Sequence, residues 1–501
     1  MPERLCMELE ISGDVRTDAE ALDRYSEDLS HYHVRPSMIA VPEGEDDLVL
    51  IADYARKHHV AVTPRGAGSN QSGSAVGSGI IVLFEQMNRV MGWEDSVVRV
   101  QPGIVWDVLN AEAAVRGFRI PYDPSSRAFC TIGGNVGTGA SGARSFKYGS
   151  VDDAIAGIRL VTSEFGVVDT AKPVPGELGD AVMNIRNRIR GDLTARRILQ
   201  NRRVLKSSSG YNLAAFLDYD DPAEIITHLV TGSVGTLGLF SEIKLACIPV
   251  AHETVLYLIF FPSLREAAES ALDIRLLEPS ALEMLDAYGL GILQAENMVR
   301  IPERRNAVLI VEFDDHIGEA ETAVARYCAQ RSLPYYVTTE PAEQARLWAV
   351  REAMLPRIKR ELESAGMRFL SFADDLGVPA NHLPAFIDDL ESIFRREKIL
   401  VVIYGHAGEG NLHVRPLIEK QNWQATLARL ADETFTAALR YGGTISGEHG
   451  AGRNRSLYLR TEWGERMYGY LEEVKYLFDP YGIFNPGVLF TRDDAATNLR
   501  F

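Results

Sequence analysis

Cysteine is scarce in this sequence: four in 501 residues, Cys6, Cys130, Cys247 and Cys328, with no CxxC pair among them. That spacing argues against a disulfide framework and against an iron–sulfur cluster ligated by the chain itself, and it fits a reducing, cytoplasmic setting. Long apolar runs are missing as well. Stretches such as Val255 to Phe261 and Ile399 to Tyr404 fall far short of the roughly 20 residues that cross a bilayer, so they are expected as buried strands, with no transmembrane segment. The opening Met1 to Asp14 carries Glu3, Glu8, Glu10 and Asp14 and lacks the basic-then-apolar layout of a signal peptide. Positive charge is in deficit: 52 basic against 69 acidic residues leave a net charge of -17, which speaks against a nucleic-acid or anionic-membrane surface. An anionic ligand must then be captured by a few local arginines. No internal repeat occurs, and the glycine-rich segment Pro64 to Gly73 matches neither GxGxxG nor GxxxxGK[ST], which disfavours a solenoid, and there a nicotinamide Rossmann site or a P-loop.

What is present is enough for a real core: 46% hydrophobic and 24% charged residues, in a chain long enough for two or more domains sharing a cleft. From Pro36 to Val82 the pattern reads strand, helix, strand, an α/β layer. Between Val97 and Leu160 short apolar stretches alternate with Gly, Pro and Asn clusters, as in short strands with long functional loops. Val255 to Phe261 and Ala307 to Phe313 each read as a strand followed by a helix, and these are expected as βαβ-like units of a second domain. After His449 the chain reads as mostly helical up to a Pro/Gly-rich turn at Tyr481 to Gly487.

Two glycine-rich segments stand out. Pro64-Arg65-Gly66-Ala67-Gly68-Ser69-Asn70-Gln71-Ser72-Gly73 follows a strand, and its small residues let backbone N–H groups converge on an anion such as a pyrophosphate. Alone it would read as an ordinary turn. Thr131-Ile132-Gly133-Gly134-Asn135-Val136-Gly137-Thr138-Gly139-Ala140-Ser141-Gly142 offers little bulk, so a flat ligand can lie against backbone, and the pair suggests one shared cofactor site. A third segment, Thr231 to Gly238, precedes the strand Leu239 to Leu245.

The chemistry-bearing residues cluster further on. Two glycines and an asparagine separate His406 from His413, with a third glycine just before His406, enough to reverse the chain and bring both imidazoles to one point. Glu448 and His449 arrive on what reads as a strand-ending glycine loop, Ser446 to Gly452. Two imidazoles and a carboxylate make an open three-ligand metal site, for which Zn²⁺ is best suited and Mn²⁺ or Fe²⁺ are compatible. A lone histidine is ordinarily just a hydrogen-bonded residue; two in one turn, with a third beside a glutamate, argue for a site. A structural zinc would normally take four ligands, often cysteine. Spacing alone does not divide the roles of Glu448 and His449. Arg351, in Leu347-Trp348-Ala349-Val350-Arg351-Glu352, reads as the start of a helical stretch and by itself as a solvated helix-face residue.

Taken in order from about Pro36 to Leu489, PRGAGSNQSG, DPSSRAFCTIGGNVGTGASG, SSSGYNL, GSVGTLG, GHAGEGNLH and SGEHGAGR resemble the FAD-dependent dehydrogenases of the vanillyl-alcohol-oxidase type, in the branch of D-lactate, glycolate-oxidase FAD-subunit and D-2-hydroxyglutarate dehydrogenases. The resemblance implies an α+β fold: an N-terminal segment (1–35), a PCMH-type FAD-binding domain of two α/β subdomains (36–248), an α+β substrate or cap domain carrying the metal motif (249–430) and a C-terminal helical segment completing the active site (431–501). It implies that Arg65 to Ser69 and Gly73 wrap the FAD pyrophosphate, with Pro64 and Asn70 beside them. Thr131, Gly133, Gly134, Asn135, Gly139, Ser141 and Gly142 would run along the cofactor toward its ring, and Pro124, Gly235 and Thr236 would also touch it. Some relatives attach FAD through a histidine in the first loop; Ser69 stands there, so non-covalent FAD is expected. Val234 replaces the glutamate common in the family's GSEGTLG.

By the same resemblance His406, His413 and Glu448 hold the metal, His449 is the base, and Arg351 grips the substrate carboxylate. Asn411 and Tyr211 would line the site, and Arg415 would meet either a second substrate carboxylate or an acidic neighbour. The implied reaction is oxidation of a D-2-hydroxy acid by hydride transfer to flavin N5, helped by a metal that lowers the hydroxyl pKa. Electrons would leave to an external acceptor, whether an iron–sulfur subunit, an electron-transfer flavoprotein, a cytochrome or a quinone, and a homodimer is open. The competing readings are an alcohol or sugar oxidase using oxygen, and a non-catalytic FAD-binding subunit of an electron-transfer complex.

Overall fold

The computed structural model of the chain describes residues 9–364, 368–369, 371–372, 374–418, 423–491 and 498–499. The expectations for Met1 to Glu8, Cys6 among them, lie outside the described residues. Cys130, Cys247 and Cys328 are buried and unpaired, and no described helix is long and apolar enough to cross a membrane.

The first half is built on two sheets. In one, Met38–Val41, Ile80–Leu83 and Val62–Arg65 run parallel, with Asp14–Arg16 antiparallel at the edge. The helix Glu45–His58 crosses over them; it opens on Glu45, Asp46 and Asp47 and closes on Arg56, Lys57 and His58, charges that suit its dipole, while Leu48, Ile51, Ala52 and Ala55 bury one face. Val62–Arg65 ends at the first glycine-rich loop. The other sheet is antiparallel, ordered Val90–Glu94, Val97–Val100, Leu239–Ala246, Ile155–Thr162 and Gly166–Asp169.

The second half corrects the βαβ expectation. Tyr335–Thr338, Val255–Phe261, Ala307–Phe313 and Ala281–Leu285 lie side by side in that order, each antiparallel to its neighbour. Val255–Phe261 and Ala281–Leu285, joined through the helix Leu264–Ile274, are parallel with Ala307–Phe313 between them, and Ala307–Phe313 and Tyr335–Thr338, joined through Ile317–Arg331, are parallel with Val255–Phe261 between them, a split βαβ arrangement. Alternation of side chains then gives the sheet two buried faces, because Val255, Tyr257, Ile259 and Phe261 enter one core and Leu256, Leu258 and Phe260 another. The hairpin Val401–His406 and Asn411–Ile418 extends the sheet.

Two further expectations shift. The helix Trp423–Arg440 runs through the expected 430/431 boundary; Leu427, Leu430, Phe435 and Ala438 recur at helical spacing and bury in the second domain's core. The chain returns to the first domain only after Ile445, where Leu459, Trp463, Met467, Leu471 and Phe478 of the helix Leu459–Phe478 join its core. The loop carrying Glu448 and His449 therefore follows a helix and an isolated bridge between Gly377 and Thr444, not a strand.

Candidate active site

Three glycine-rich segments meet around one cavity of about 240 Å³. They interlock where only hydrogen fits: a methyl group at Gly66 would lie 2.3 Å from Thr131 Oγ1, and one at Gly235 would lie 2.3 Å from a Pro64 ring carbon. Pro64, Arg65, Gly66, Ala67, Gly68, Ser69 and Asn70 line the cavity, as do Pro124, Thr131, Gly133, Gly134, Asn135, Ser141 and Gly235. Gly73, Gly139 and Thr236 do not. Gly73 turns the first loop at φ +76 against Tyr32, Gly139 ends a helix at φ +67, and Thr236 is tied to Ser233 and to the buried Tyr211 hydroxyl at 2.7 Å. The second segment is not extended: Ile132–Thr138 forms a short helix capped by Thr131, whose Oγ1 accepts the Gly134 N–H. Val234 lines the cavity at φ 47, a left-handed conformation that a β-branched residue rarely adopts. Lined by glycine-rich backbone and flanked by Phe84, Phe129 and Phe240, the cavity suits a cofactor with a flat ring.

A smaller cavity adjoins it and shares Ser125, Glu352 and Glu448 with it; Gly142, Arg351, His406 and His413 line this one. His406 ends its strand and His413 lies in the next, where Tyr404 pairs with His413 and His406 with Asn411. Gly410, at φ +72, makes the turn. Both imidazoles thus project from one face of the hairpin, with rings 5.3 Å apart at 79°. Glu448 reaches them from the returning chain: its carboxylate is 3.2 Å from His406 Nε2 and 3.3 Å from His413 Nε2. One ligand atom from each of the three falls within 4.8 Å of the others.

The surroundings complete a metal-ready donor set. Glu283, alone in the apolar strand Ala281–Leu285, takes a 2.5 Å hydrogen bond from His406 Nδ1, fixing the ring with Nε2 toward Glu448, as outer-shell carboxylates do for metal-bound histidines. Burial opposes charge on Glu283, but His406 and Arg351 hold its carboxyl well below the usual range. Burial likewise opposes a charged His406, yet Glu283 lifts it to about 9. Burial pushes His413 down to about 4, leaving a neutral imidazole suited to ligation. Glu448 stays ionised despite burial because Lys206 and His406 face it, with Lys206 Nζ 3.0 Å from Glu448 and 3.0 Å from Glu409. Lys206 and His406 thus both face the carboxylate.

Asp375, His413 and His449 form a second close group, but Asp375 is otherwise engaged. Its carboxylate accepts the N–H groups of Glu448 and His449 at 2.9 and 2.8 Å, the Ser446 hydroxyl at 3.0 Å and the Asn411 amide at 3.0 Å. Asp375 pins the loop that presents His449. Asn70 and Ser72 hold the His449 carbonyl from the first glycine-rich loop, and Ser141 donates to Glu448 from the second. His449 lines the large cavity, stacked 5.2 Å from His413, between the cofactor cleft and the ligand cluster.

Arg351 closes the helix Pro341–Glu352 and does not begin one. Its Nε and Nη2 donate to Glu283 at 2.8 and 2.5 Å, and its guanidinium lies 5.0 Å from the Tyr404 ring centre. No other ion-pair partner is present for it among the described residues. Arg415 stands apart from both cavities, bonded to Asp374, to Ser371 at 2.8 Å and to Gln71 at 3.0 Å. Asn411 is fully buried beneath the loop, and Tyr211 sits in the first domain's core.

Sequence reading passed over Glu283, Lys206, Asp375 and Glu352. The first left a signal, a single carboxylate in an apolar run, since a glutamate is almost never fully buried without a partner. The paired acids Asp374 and Asp375 ahead of a strand left a weaker one.

Residues 36–170 match the family model for an FAD binding domain, and residues 250–489 the one for the C-terminal domain of FAD linked oxidases. A glycolate oxidase subunit of Bacillus subtilis is 27% identical over alignments covering 97% of this chain and 96% of that one. A D-lactate dehydrogenase of Anaerostipes hadrus is 27% identical, covering 93% of each. A D-2-hydroxyglutarate dehydrogenase of Stutzerimonas stutzeri is 27% identical, covering 95% and 96%. Among solved structures, 4-ethylphenol oxidase of Gulosibacter chungangensis superposes with a TM-score of 0.68 at 12% identity, covering 95% and 94%, and an alkyldihydroxyacetonephosphate synthase with 0.67 at 19%, covering 97% and 84%. The shared fold is α+β with a PCMH-type FAD-binding domain.

Proposed function

The chain belongs to the FAD-linked oxidases of the D-lactate, glycolate and D-2-hydroxyglutarate dehydrogenase type, and from that premise we propose that it oxidises a D-2-hydroxy acid to the 2-oxo acid with the help of a divalent metal and passes the electrons to an external acceptor. It is an FAD-binding oxidoreductase acting on CH–OH donors. The observation that carries the finer reading is the convergence of His406, His413 and Glu448 at the point where a cofactor-sized cleft joins a smaller cavity holding Arg351.

FAD, when bound in the cleft, supplies the hydride acceptor. A divalent ion held by His406, His413 and Glu448 would supply Lewis acidity toward the substrate hydroxyl. Arg351 binds the substrate carboxylate, and its tether to Glu283 sets the direction of the guanidinium before substrate arrives. The same carboxylate orients His406, so one buried acid aligns the carboxylate grip with the ligand cluster. His449 accepts the hydroxyl proton; Asp375 fixes its backbone, and Asp374 and Asp375 each lie 3.8 Å from its Nδ1. Glu448 and His449 are neighbours in sequence; both line the large cavity and Glu448 also lines the smaller one, which supports separate roles. The test is anaerobic bleaching of the flavin by a panel of D- and L-2-hydroxy acids, repeated with His449→Gln. Rapid bleaching by D-acids that slows about 10²–10⁴-fold in the variant supports the reading; no bleaching by any hydroxy acid refutes it.

A further inference from the structure

The hydroxy-acid reading leaves the substituent on the substrate's C2 undefined, and the smaller cavity constrains it. Besides Arg351, Glu448 and the two histidines, its wall consists of Asp123, Ser125, Gly142, Ala143, Trp348 and Glu352. Among the described residues no arginine or lysine other than Arg351 lines it. Among the described residues, the arginines nearby stand behind its wall, two of them paired to its acids and the third to Asp374. Arg144 donates to Asp123 at 2.6 Å and to Glu312 at 2.6 Å, bridging the two domains. Arg127 lies behind Glu352 at 3.1 Å, shared with Asp107 at 3.8 Å. Arg415, the residue offered for a second carboxylate, is 1% exposed and holds Asp374.

Two acids therefore face the space left once the carboxylate and hydroxyl are anchored. They sense each other: burial pushes the Glu352 carboxyl up, Arg127 opposes this, and the charge of Asp123 adds to the rise. A distal substrate carboxylate would enter beside both, with no guanidinium or ammonium to receive it. Ser125 and the apolar edges of Ala143 and Trp348 instead suit a short neutral chain.

Resting on the reading above, we propose that Glu352, with Asp123, is a specificity-determining residue that makes this a site for monocarboxylic 2-hydroxy acids with a short uncharged substituent and rejects a second carboxylate. Like-charge juxtaposition in a pocket disfavours the charged substrate; with the Glu352 side chain 29% exposed, discrimination on the order of tenfold or more is expected after solvent screening.

The test uses the full chain loaded with FAD and metal and compares D-2-hydroxyvalerate with D-2-hydroxyglutarate, equal in carbon chain and differing in the distal carboxylate. Flavin reduction gives kcat/KM for each. We expect a preference of roughly tenfold or more for hydroxyvalerate, lying mainly in KM and shrinking with ionic strength, and a smaller ratio in Glu352→Gln, with further loss or reversal in Glu352→Lys. Should the variants fail to fold, the salt dependence of the wild-type ratio decides alone. Equal kcat/KM for the two acids, or a preference for hydroxyglutarate, overturns the inference while leaving the hydroxy-acid reading standing. Reduction by no hydroxy acid overturns both.

Discussion

Replacing Glu283 by glutamine removes one negative charge from a fully buried position that serves two partners, His406 Nδ1 at 2.5 Å and the Arg351 guanidinium at 2.5 and 2.8 Å. The amide is isosteric, so the cavity does not change; what changes is that Arg351, with 8% of its side chain exposed, loses its counter-charge. Leaving one member of a buried ion pair alone costs about 3–5 kcal/mol, and unfolding should move to lower temperature accordingly. The effect on the metal is separate. An outer-shell carboxylate that orients a ligating histidine is worth about 10–100-fold in affinity, or about 1.4–2.8 kcal/mol. The amide N–H₂ also meets a ring N–H where the carboxylate accepted one, which favours the wrong tautomer. Competition of Zn²⁺ or Mn²⁺ against a chromophoric chelator measures the affinity, and substrate KM reports on Arg351. A folded Glu283→Gln protein with metal affinity and KM both within about twofold of the wild type would refute the claim that this acid aligns the two halves of the site.

Three further outcomes follow from the geometry. In Gly410→Ala a methyl group would lie 2.1 Å from the Val378 carbonyl at φ +72; the loss should exceed the roughly 1–2 kcal/mol of left-handed strain alone, and weakened metal binding should accompany the lower Tm because this turn sets the His406 and His413 hairpin. Asp286 accepts N–H groups from Tyr288, Gly289 and Ile403, yet burial raises its carboxyl to about 6. A raised carboxyl favours the fold when protonated, so its contribution is full below about pH 4 and is lost as pH rises through about 6; the stability of wild type relative to Asp286→Asn should fall across that window in paired thermal melts. In Asp375→Asn the amide cannot accept all the N–H and O–H groups that converge on the carboxylate, and flavin reduction should slow while FAD content is retained, as measured by stopped-flow and flavin absorbance.

The residues that identify the site were legible because its chemistry sits in short local motifs. Glycine segments announce close backbone approach, and two histidines in one glycine turn announce convergence. Glu283 meets His406 across 123 positions of sequence and Lys206 meets Glu409 across 203, so no local pattern marks either contact. The order of the second sheet was hidden for a related reason. Alternating strands and helices look alike whether the strands pair directly or leave room for one between them, and only the pairing of Ala307–Phe313 with both neighbours decides it. Arg351 read as a helix start, whereas Pro341 at the first turn sets the helix earlier. Arg415 lies two residues past His413 on the same face of its strand, but its ion pair with the buried Asp374 holds it away from the cavity.

The central claim is that His406, His413 and Glu448 hold a metal that the oxidation requires. Its most direct test is stopped-flow anaerobic flavin reduction by a D-2-hydroxy acid in protein stripped of metal with a chelator, then resupplied with Zn²⁺, Mn²⁺ or Fe²⁺, alongside Glu448→Gln. The account predicts that stripped protein keeps its FAD but reduces it at least about 100-fold more slowly, that one of the ions restores the rate, and that Glu448→Gln is not restored at the same concentration. Full-rate reduction in protein shown to contain less than about one metal ion per hundred chains would contradict it.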